Sequence, residues 1–352
     1  MCDMKTRFEK IDSNNINKDI INEAGDIIKS GGLVAFPTET VYGLGGDALN
    51  AKSSEKIYAA KGRPSDNPLI VHIDNIDSLK EISDDIPDEA YKLADAFWPG
   101  PLTMIVNKNE KVPKETTGGL STVAVRMPDD EIALAFIKAA GGFIAAPSAN
   151  TSGRPSPTLA EHVRDDLDGK IEMILDGGQV GIGVESTIVD LTEGTPTILR
   201  PGYVTQEMLS KVLGNVDTDR TILEGTFAAK PKAPGMKYRH YAPKASMSLI
   251  EGDAEKIISV MNARCSEARG KGLKVGIMCS SQVFDKVSGD VKKNLGNRED
   301  EREIAHNLYK VLREFDEEDV DIIFGECFSK EGFGQAVMNR LLKAAGFTVI
   351  HD

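Results

Sequence analysis

Residues 33–45 read Leu33-Val-Ala-Phe-Pro-Thr-Glu-Thr40-Val-Tyr-Gly-Leu-Gly45. Four consecutive apolar residues, Leu33 to Phe36, suit a strand buried on both faces. Pro37 has no N–H for a ladder and stops it. Hydroxyls and a carboxylate follow at once, in Thr38, Glu39 and Thr40. In open α/β sheets ligands bind outside the carboxyl ends of strands, so these side chains fall where a site belongs. Gly43, Gly45 and Gly46 read as a loop that lets backbone come close. For one such stretch taken alone, a strand-ending turn held by Asx- or Ser/Thr-type hydrogen bonds is the favoured explanation.

The pattern repeats along the chain. Residues 69–73, 102–106, 122–125, 143–146 and 188–191 are further apolar runs of strand type. Helices are expected over 20–29, 53–61 and 130–140, closed by Gly31-Gly32, by Gly62 and Pro64, and by Gly141-Gly142, with Ser53 as the cap of the second. Residues 230–244 are rich in Pro, Lys, Tyr and His, which suits a linker that also touches a ligand or a neighbouring domain. From Ser246 strands at 248–251, 274–279, 321–324 and 347–350 alternate with helices, the mark of a parallel α/β sheet. The expected division is residues 1–215, a linker over 216–245, and a smaller domain over 246–352. A chain of 352 residues agrees with two domains at ~100–200 residues each.

Composition removes several classes. A net charge of −13 disfavours broad binding to nucleic acid or anionic membrane, because phosphate neutralisation drives it. No apolar run approaches the ~20 residues that span a bilayer, and the first residues carry no secretory pattern. A cytoplasmic protein without stable membrane association is expected. The four cysteines stand far apart, with no Cys-x-x-Cys, so neither a zinc site nor a disulfide framework is indicated.

Neither Gly-x-x-x-x-Gly-Lys-Ser/Thr nor Gly-x-Gly-x-x-Gly occurs. Phosphate would need another cradle. Lys61-Gly-Arg63-Pro-Ser-Asp-Asn67 puts two cations on a proline-stiffened loop, which suits oligophosphate. Lys61 alone reads as a complement to a helix C-terminus. Ala146-Pro-Ser148-Ala-Asn150, with Ser156 and Thr158 beyond it, gathers hydroxyls and an amide at another strand end. There, helix capping is the plainer explanation of Ser156 or Thr158. Thr122, Arg126, Ser186 and Arg200 flank further strands, and His72 lies within one. No Ser/His/Asp order or metal pair is visible, so the set reads as a binding and positioning site. Phosphoryl and nucleotidyl chemistry runs on that.

Pro37-Thr-Glu-Thr-Val-Tyr-Gly-Leu-Gly45, Lys61-x-Arg63, Asp66-Asn-Pro-Leu-Ile-Val-His72, Trp98-Pro-Gly-Pro-Leu-Thr103, Pro147-Ser-Ala-Asn150, Glu185-Ser-Thr-Ile188 and Leu199-Arg-Pro-Gly202 follow one another in this order. The ordered set resembles the Sua5/YrdC family over about residues 10 to 215. Residues 234–243 and the domain after them resemble its longer, two-domain Sua5 type. The resemblance implies a YrdC-like twisted mixed α/β sheet domain, a linker contacting the active site, and a Rossmann-like parallel C-terminal domain. It implies a nucleotidyltransferase, threonylcarbamoyl-AMP synthase, joining L-threonine, bicarbonate or CO2, and ATP with release of pyrophosphate. The product serves N6-threonylcarbamoylation of adenosine 37 in tRNAs reading ANN codons. By motif, Lys61 and Arg63 are catalytic. Thr40, His72, Arg126, Ala146 and Ser186 hold threonine. Arg63, Asn67, Thr122, Ser148, Asn150, Ser156, Arg200 and the linker's Tyr241 hold ATP. Mg2+ would be bound mainly through ATP phosphates, with no protein-built metal site. The product would pass to the tRNA threonylcarbamoyl transferase complex, with weak or absent tRNA binding by this chain.

Two other classes compete. A related domain occurs in hydrogenase maturation factors that transfer carbamoyl groups, but the acylphosphatase and zinc-finger-like regions of those proteins are missing here. The fold has also been regarded as suited to double-stranded RNA, and a charge of −13 opposes that reading.

Overall fold

A computed structural model of the chain describes residues 4–219, 222, 232–233 and 241–351. Two compact units emerge. One comprises Met1–Ser152, Ser156–Gly181 and Glu185–Tyr238, the other Gly153–Pro155, Ile182–Val184 and Arg239–Asp352.

The first unit runs β1 (Arg7–Lys10), α1 (Lys18–Lys29), β2 (Val34–Phe36), β3 (Gly43–Asp47), α2 (Ala51–Lys61), β4 (Ile70–Ile73), a 3-10 turn, α3 (Leu79–Ile82), α4 (Asp88–Phe97), β5 (Leu102–Asn107) and β6 (Thr122–Arg126). It continues through α5 (Glu131–Ala139), β7 (Phe143–Ala145), α6 (Ala160–Leu167), β8 (Met173–Asp176), β9 (Thr187–Asp190), β10 (Thr197–Arg200), α7 (Gln206–Leu213) and β11 (Asp217–Thr218). The strands form one sheet in the order β1-β8-β2-β3-β7-β4-β6-β5-β9-β10-β11. β4 pairs β6 in parallel, whereas β2–β3, β3–β7, β4–β7 and β5–β6 are antiparallel. The sheet is therefore mixed, as the family resemblance implies.

Strand β2 is buried throughout, as its unbroken apolar run predicts. Ala35 joins the core that holds Leu44, Ile57 and Leu69. Val34 and Phe36 point the other way, into a core with Ile21, Ile28 and Phe136. The glycines after it correct the expected loop, because residues 43–47 are strand β3. A Cβ at Gly45 would lie 2.9 Å from Ile144 Cγ2 and 3.1 Å from Val34 O, and one at Gly43 3.1 Å from Phe36. Close packing, not turn geometry, selects glycine here. Helix α2 also begins earlier than expected. Asn50, whose side chain accepts from Lys52 N, is the cap, and Ser53 lies inside the helix. Helix α5 is capped by Asp130, which accepts from Ala133 N.

The second unit carries β12 (Ser246–Ile250), α8 (Ala254–Gly270), β13 (Val275–Cys279), α9 (Ser281–Phe284), β14 (Val291–Asn294), α10 (Glu301–Glu317), β15 (Ile322–Glu326), α11 (Gly334–Ala344) and β16 (Val349–Ile350). Its sheet order is β14-β13-β15-β12-β16, and every pairing is parallel. The strand and helix alternation read from the sequence is thus realised. Among the described residues no helix is long and apolar enough to cross a membrane.

Candidate active site

Lys61 is the last residue of α2, and Gly62 turns the chain in the left-handed region at φ 61°. The residue is only 1% exposed, so more than the end of its own helix must match the charge. Its ammonium donates to the backbone oxygens of Ser148 and Asn150, with Asn150 Oδ1 at 3.5 Å. A buried ammonium must be matched by acceptors, and this loop supplies them. The loop is fixed from the other side too. Leu44 N donates to Pro147 O at 2.9 Å, Ala149 N to Tyr42 O at 2.8 Å, and Ala146 N to Ile70 O at 2.8 Å. Ser148 Oγ donates to Asn150 Oδ1 at 2.5 Å. The lysine and the Ser-x-Asn pair expected to act together therefore meet directly.

Arg63 turns back on its own loop, with Nε 3.3 Å from Asn67 O and Nη2 3.1 Å from Pro68 O. Asn67 is buried, and its Oδ1 has no hydrogen-bond partner. A buried amide oxygen without a donor is costly unless a ligand supplies one. Thr122 opens β6 half-buried, opposite Asn107 of β5.

A second cluster sits on β4, β6 and the ends of β9 and β10. His72 and Arg126 are register partners in the parallel β4–β6 pair. Arg126 is 4% exposed. It donates through Nη1 to Thr40 Oγ1 at 2.9 Å, through Nη2 to Glu39 Oε2 at 2.5 Å, and through Nε to Gly100 O at 3.3 Å. His72 Nδ1 lies 3.3 Å from Ile70 O. Burial, then the charges of Arg126 and Arg200, push this imidazole down to about 3, so it is neutral at working pH. Arg200 donates through Nε to Ser186 O and through Nη2 to Ser186 Oγ, both at 3.0 Å. Thr103 Oγ1 lies 2.8 Å from the same Ser186 Oγ. Gly202 permits this junction, since a Cβ there would stand 2.3 Å from Thr187 N.

Ser156 Oγ donates to Glu185 Oε1, and both residues are buried. It caps no helix: α6 starts after Leu159, which makes no side-chain cap. Thr158 Oγ1 is buried without a partner and is not a cap either. Ala146 is buried just past β7. Tyr241 belongs to the second unit, where it is buried with φ 66° and its ring centroid lies 5.2 Å from that of Tyr309. Most of residues 230–244 lies outside the described residues. Of that segment, Lys232 pairs with Asp190 at 3.3 Å and Glu193 at 2.7 Å, and Ala233 packs with Ile70, Ala124, Ile188 and Leu199. Ile70 and Ala124 stand two residues from His72 and Arg126, hence on the same sheet face.

Known proteins share this frame. Residues 26–202 match the Sua5/YciO/YrdC family model, described as "Telomere recombination", and residues 204–346 match the "Threonylcarbamoyl-AMP synthase, C-terminal domain". The threonylcarbamoyl-AMP synthase of Pyrococcus abyssi is 48% identical over 330 residues, 94% of this chain and 95% of the relative. That of Bacillus subtilis is 46% identical over 351 residues, 99% and 100% of the two chains. The chain belongs to the Sua5/YrdC family. A crystal structure of P. abyssi Sua5 complexed with L-threonine superposes with a TM-score of 0.94 at 47% identity, covering 99% of this chain and 100% of that one.

Within the Sua5/YrdC frame, the residues that sequence reasoning left without a role are the partners. Glu39 sits on Arg126, Thr103 on Ser186 and Glu185 on Ser156. Each lies inside a quoted motif, yet nothing in a linear motif says which distant side chain it meets. Among the described residues no three His, Cys, Asp or Glu side chains gather into a metal site. Asn150 Oδ1 already accepts from Ser148 Oγ and lies 3.5 Å from the Lys61 ammonium, so an Mg2+ ion here would have to ride on phosphate oxygens.

Proposed function

We propose that this chain makes L-threonylcarbamoyladenylate from L-threonine, bicarbonate or CO2, and ATP, releasing pyrophosphate. Relatives matched over nearly the whole chain bear the name threonylcarbamoyl-AMP synthase. The observation that carries the reading is the buried Arg126, in register with a neutral His72 and fixed against Thr40. A guanidinium held on a strand suits a small substrate's carboxylate, through charge-assisted bonds worth ~1.5–3 kcal/mol. Thr40, His72 and Ser186 would supply the remaining side-chain contacts to L-threonine, with Ala146 lending backbone.

The nitrogen captures CO2, and an oxygen of the resulting carbamate attacks the α-phosphorus of ATP. Arg63, Asn67, Thr122, Ser148, Asn150, Ser156 and Arg200 hold the nucleotide. Lys61 fixes the loop that presents Ser148 and Asn150, so the phosphates meet a preformed surface. Mg2+, held mainly through the ATP phosphates, would offset their charge when bound. The mixed anhydride hydrolyses readily, which favours a buried site. The product then goes to the enzyme that threonylcarbamoylates adenosine 37 of tRNA. Pyrophosphate release should require L-threonine, bicarbonate and ATP together. Release that continues with threonine or bicarbonate omitted would overturn the assignment.

A further inference from the structure

The Glu39 carboxylate is engaged on one oxygen only. Oε2 meets Arg126, while Oε1 is buried with no hydrogen-bond partner. Leaving a charged oxygen out of water without a donor is costly. This oxygen belongs to the residue next to Thr40 and bonded to the guanidinium proposed for the substrate's carboxylate. In an α-amino acid the nitrogen and the carboxylate share one carbon. A ligand whose carboxylate reaches Arg126 therefore carries its nitrogen close to whatever sits on Arg126.

The geometry points to Glu39 as the residue that recognises the substrate's α-amino nitrogen, with Oε1 accepting an N–H; this rests on the threonine reading above. Arg126 and Glu39 then form one two-part clamp, the cation for the carboxylate and the anion for the nitrogen. The clamp need not trap the nitrogen as ammonium. Arg126 and Arg200 both act on His72 here, and Asp130 acts with Glu39 on the side of the carboxylates. An N–H donated to Oε1 aims the nitrogen's lone pair without requiring a positive charge on it.

A ligand-by-variant comparison tests this. Binding of L-threonine and of 3-hydroxybutyrate, which lacks only the amino group, is measured by calorimetry on wild type, Glu39→Ala and Glu39→Gln. L-Threonine should bind the wild type far better than 3-hydroxybutyrate. In Glu39→Ala its affinity should fall by about 10- to 100-fold. The affinity for 3-hydroxybutyrate should hold or rise, because Arg126 loses a competitor. Glu39→Gln keeps the shape and an oxygen acceptor, and should lie between the two. It carries the comparison if the alanine variant does not fold. A residue that merely supports the fold would weaken both ligands alike, so an unchanged threonine-to-hydroxybutyrate ratio overturns the proposal. A wild type that binds neither ligand overturns the threonine reading itself, a separable result.

Discussion

The Lys61 ammonium donates to the backbone oxygen of Asn150, 89 residues further along the chain. With the matching bond to Ser148 O, it ties the end of α2 to the loop after β7. A lysine expected to touch phosphate thus also holds together the surface that would receive it.

The two cations of Lys61-Gly-Arg63 should therefore separate on substitution. Lys61→Met strands two buried carbonyls and should lower stability by about 1.5–3 kcal/mol, with loss of turnover. Arg63→Ala removes, among other contacts, the part-buried bonds to the backbone oxygens of Asn67 and Pro68. It should shift stability by ~1 kcal/mol or less while turnover falls at least as far. Urea midpoints set beside pyrophosphate release check this. Equal stability losses in the two variants would contradict it.

His72 and Asp130 should oppose each other in the acid range. His72 is pushed down to about 3 from 6.5, by burial first and then by Arg126. Between those values the unfolded chain binds more protons, so this group's stabilisation is complete above 6.5 and lost as pH falls. Asp130 is pushed up to about 6 from 3.8, by burial first, with Glu39 adding to the rise. There the native state holds the proton longer, so its contribution falls as pH rises from about 4 to 6. Asp130→Asn keeps a good helix cap and removes that titration. Unfolding free energy of the variant should climb more steeply over this window, by at most about 1.4 kcal/mol per pH unit. Parallel curves for variant and wild type would count against the assignment.

Gly202→Ala should damage the junction at which Arg200 holds Ser186. The new Cβ would meet backbone at Thr187 N and Ser186 C, at 2.3 and 2.7 Å. Backbone cannot give way as a side-chain tip can, so the cost should be at the high end of ~1–3 kcal/mol for overpacking. The Ser186 hydroxyl would shift with it, and the KM for L-threonine should rise. An unchanged KM with unchanged melting temperature would show that the junction tolerates the methyl.

Much of this was legible along the chain. The Leu33–Phe36 run, the clean α/β alternation after Ser246 and the ordered motifs were read from local pattern alone. What escaped was of two kinds. Strand β3 is written in glycines, which carry no strand propensity, because Phe36, Ile144 and Val34 crowd it. Strand β1 is a mostly exposed edge of Arg, Phe, Glu and Lys with no apolar run to announce it. The site partners escaped for another reason. Glu39 and Arg126 are 87 residues apart, and Thr103 and Ser186 are 83 apart. Only the sheet, with β2, β3, β7, β4 and β6 side by side and β5 paired to β9, brings such residues to one place.

The pairing of Arg126 with Glu39 also bears on how fast ligands are captured. A guanidinium already matched by its own carboxylate, in a chain of net charge −13, casts little positive field into solution. ATP and threonine are then not drawn in from a distance. For an anionic nucleotide the long-range force is repulsive, so a denser ionic atmosphere should hasten its arrival rather than delay it.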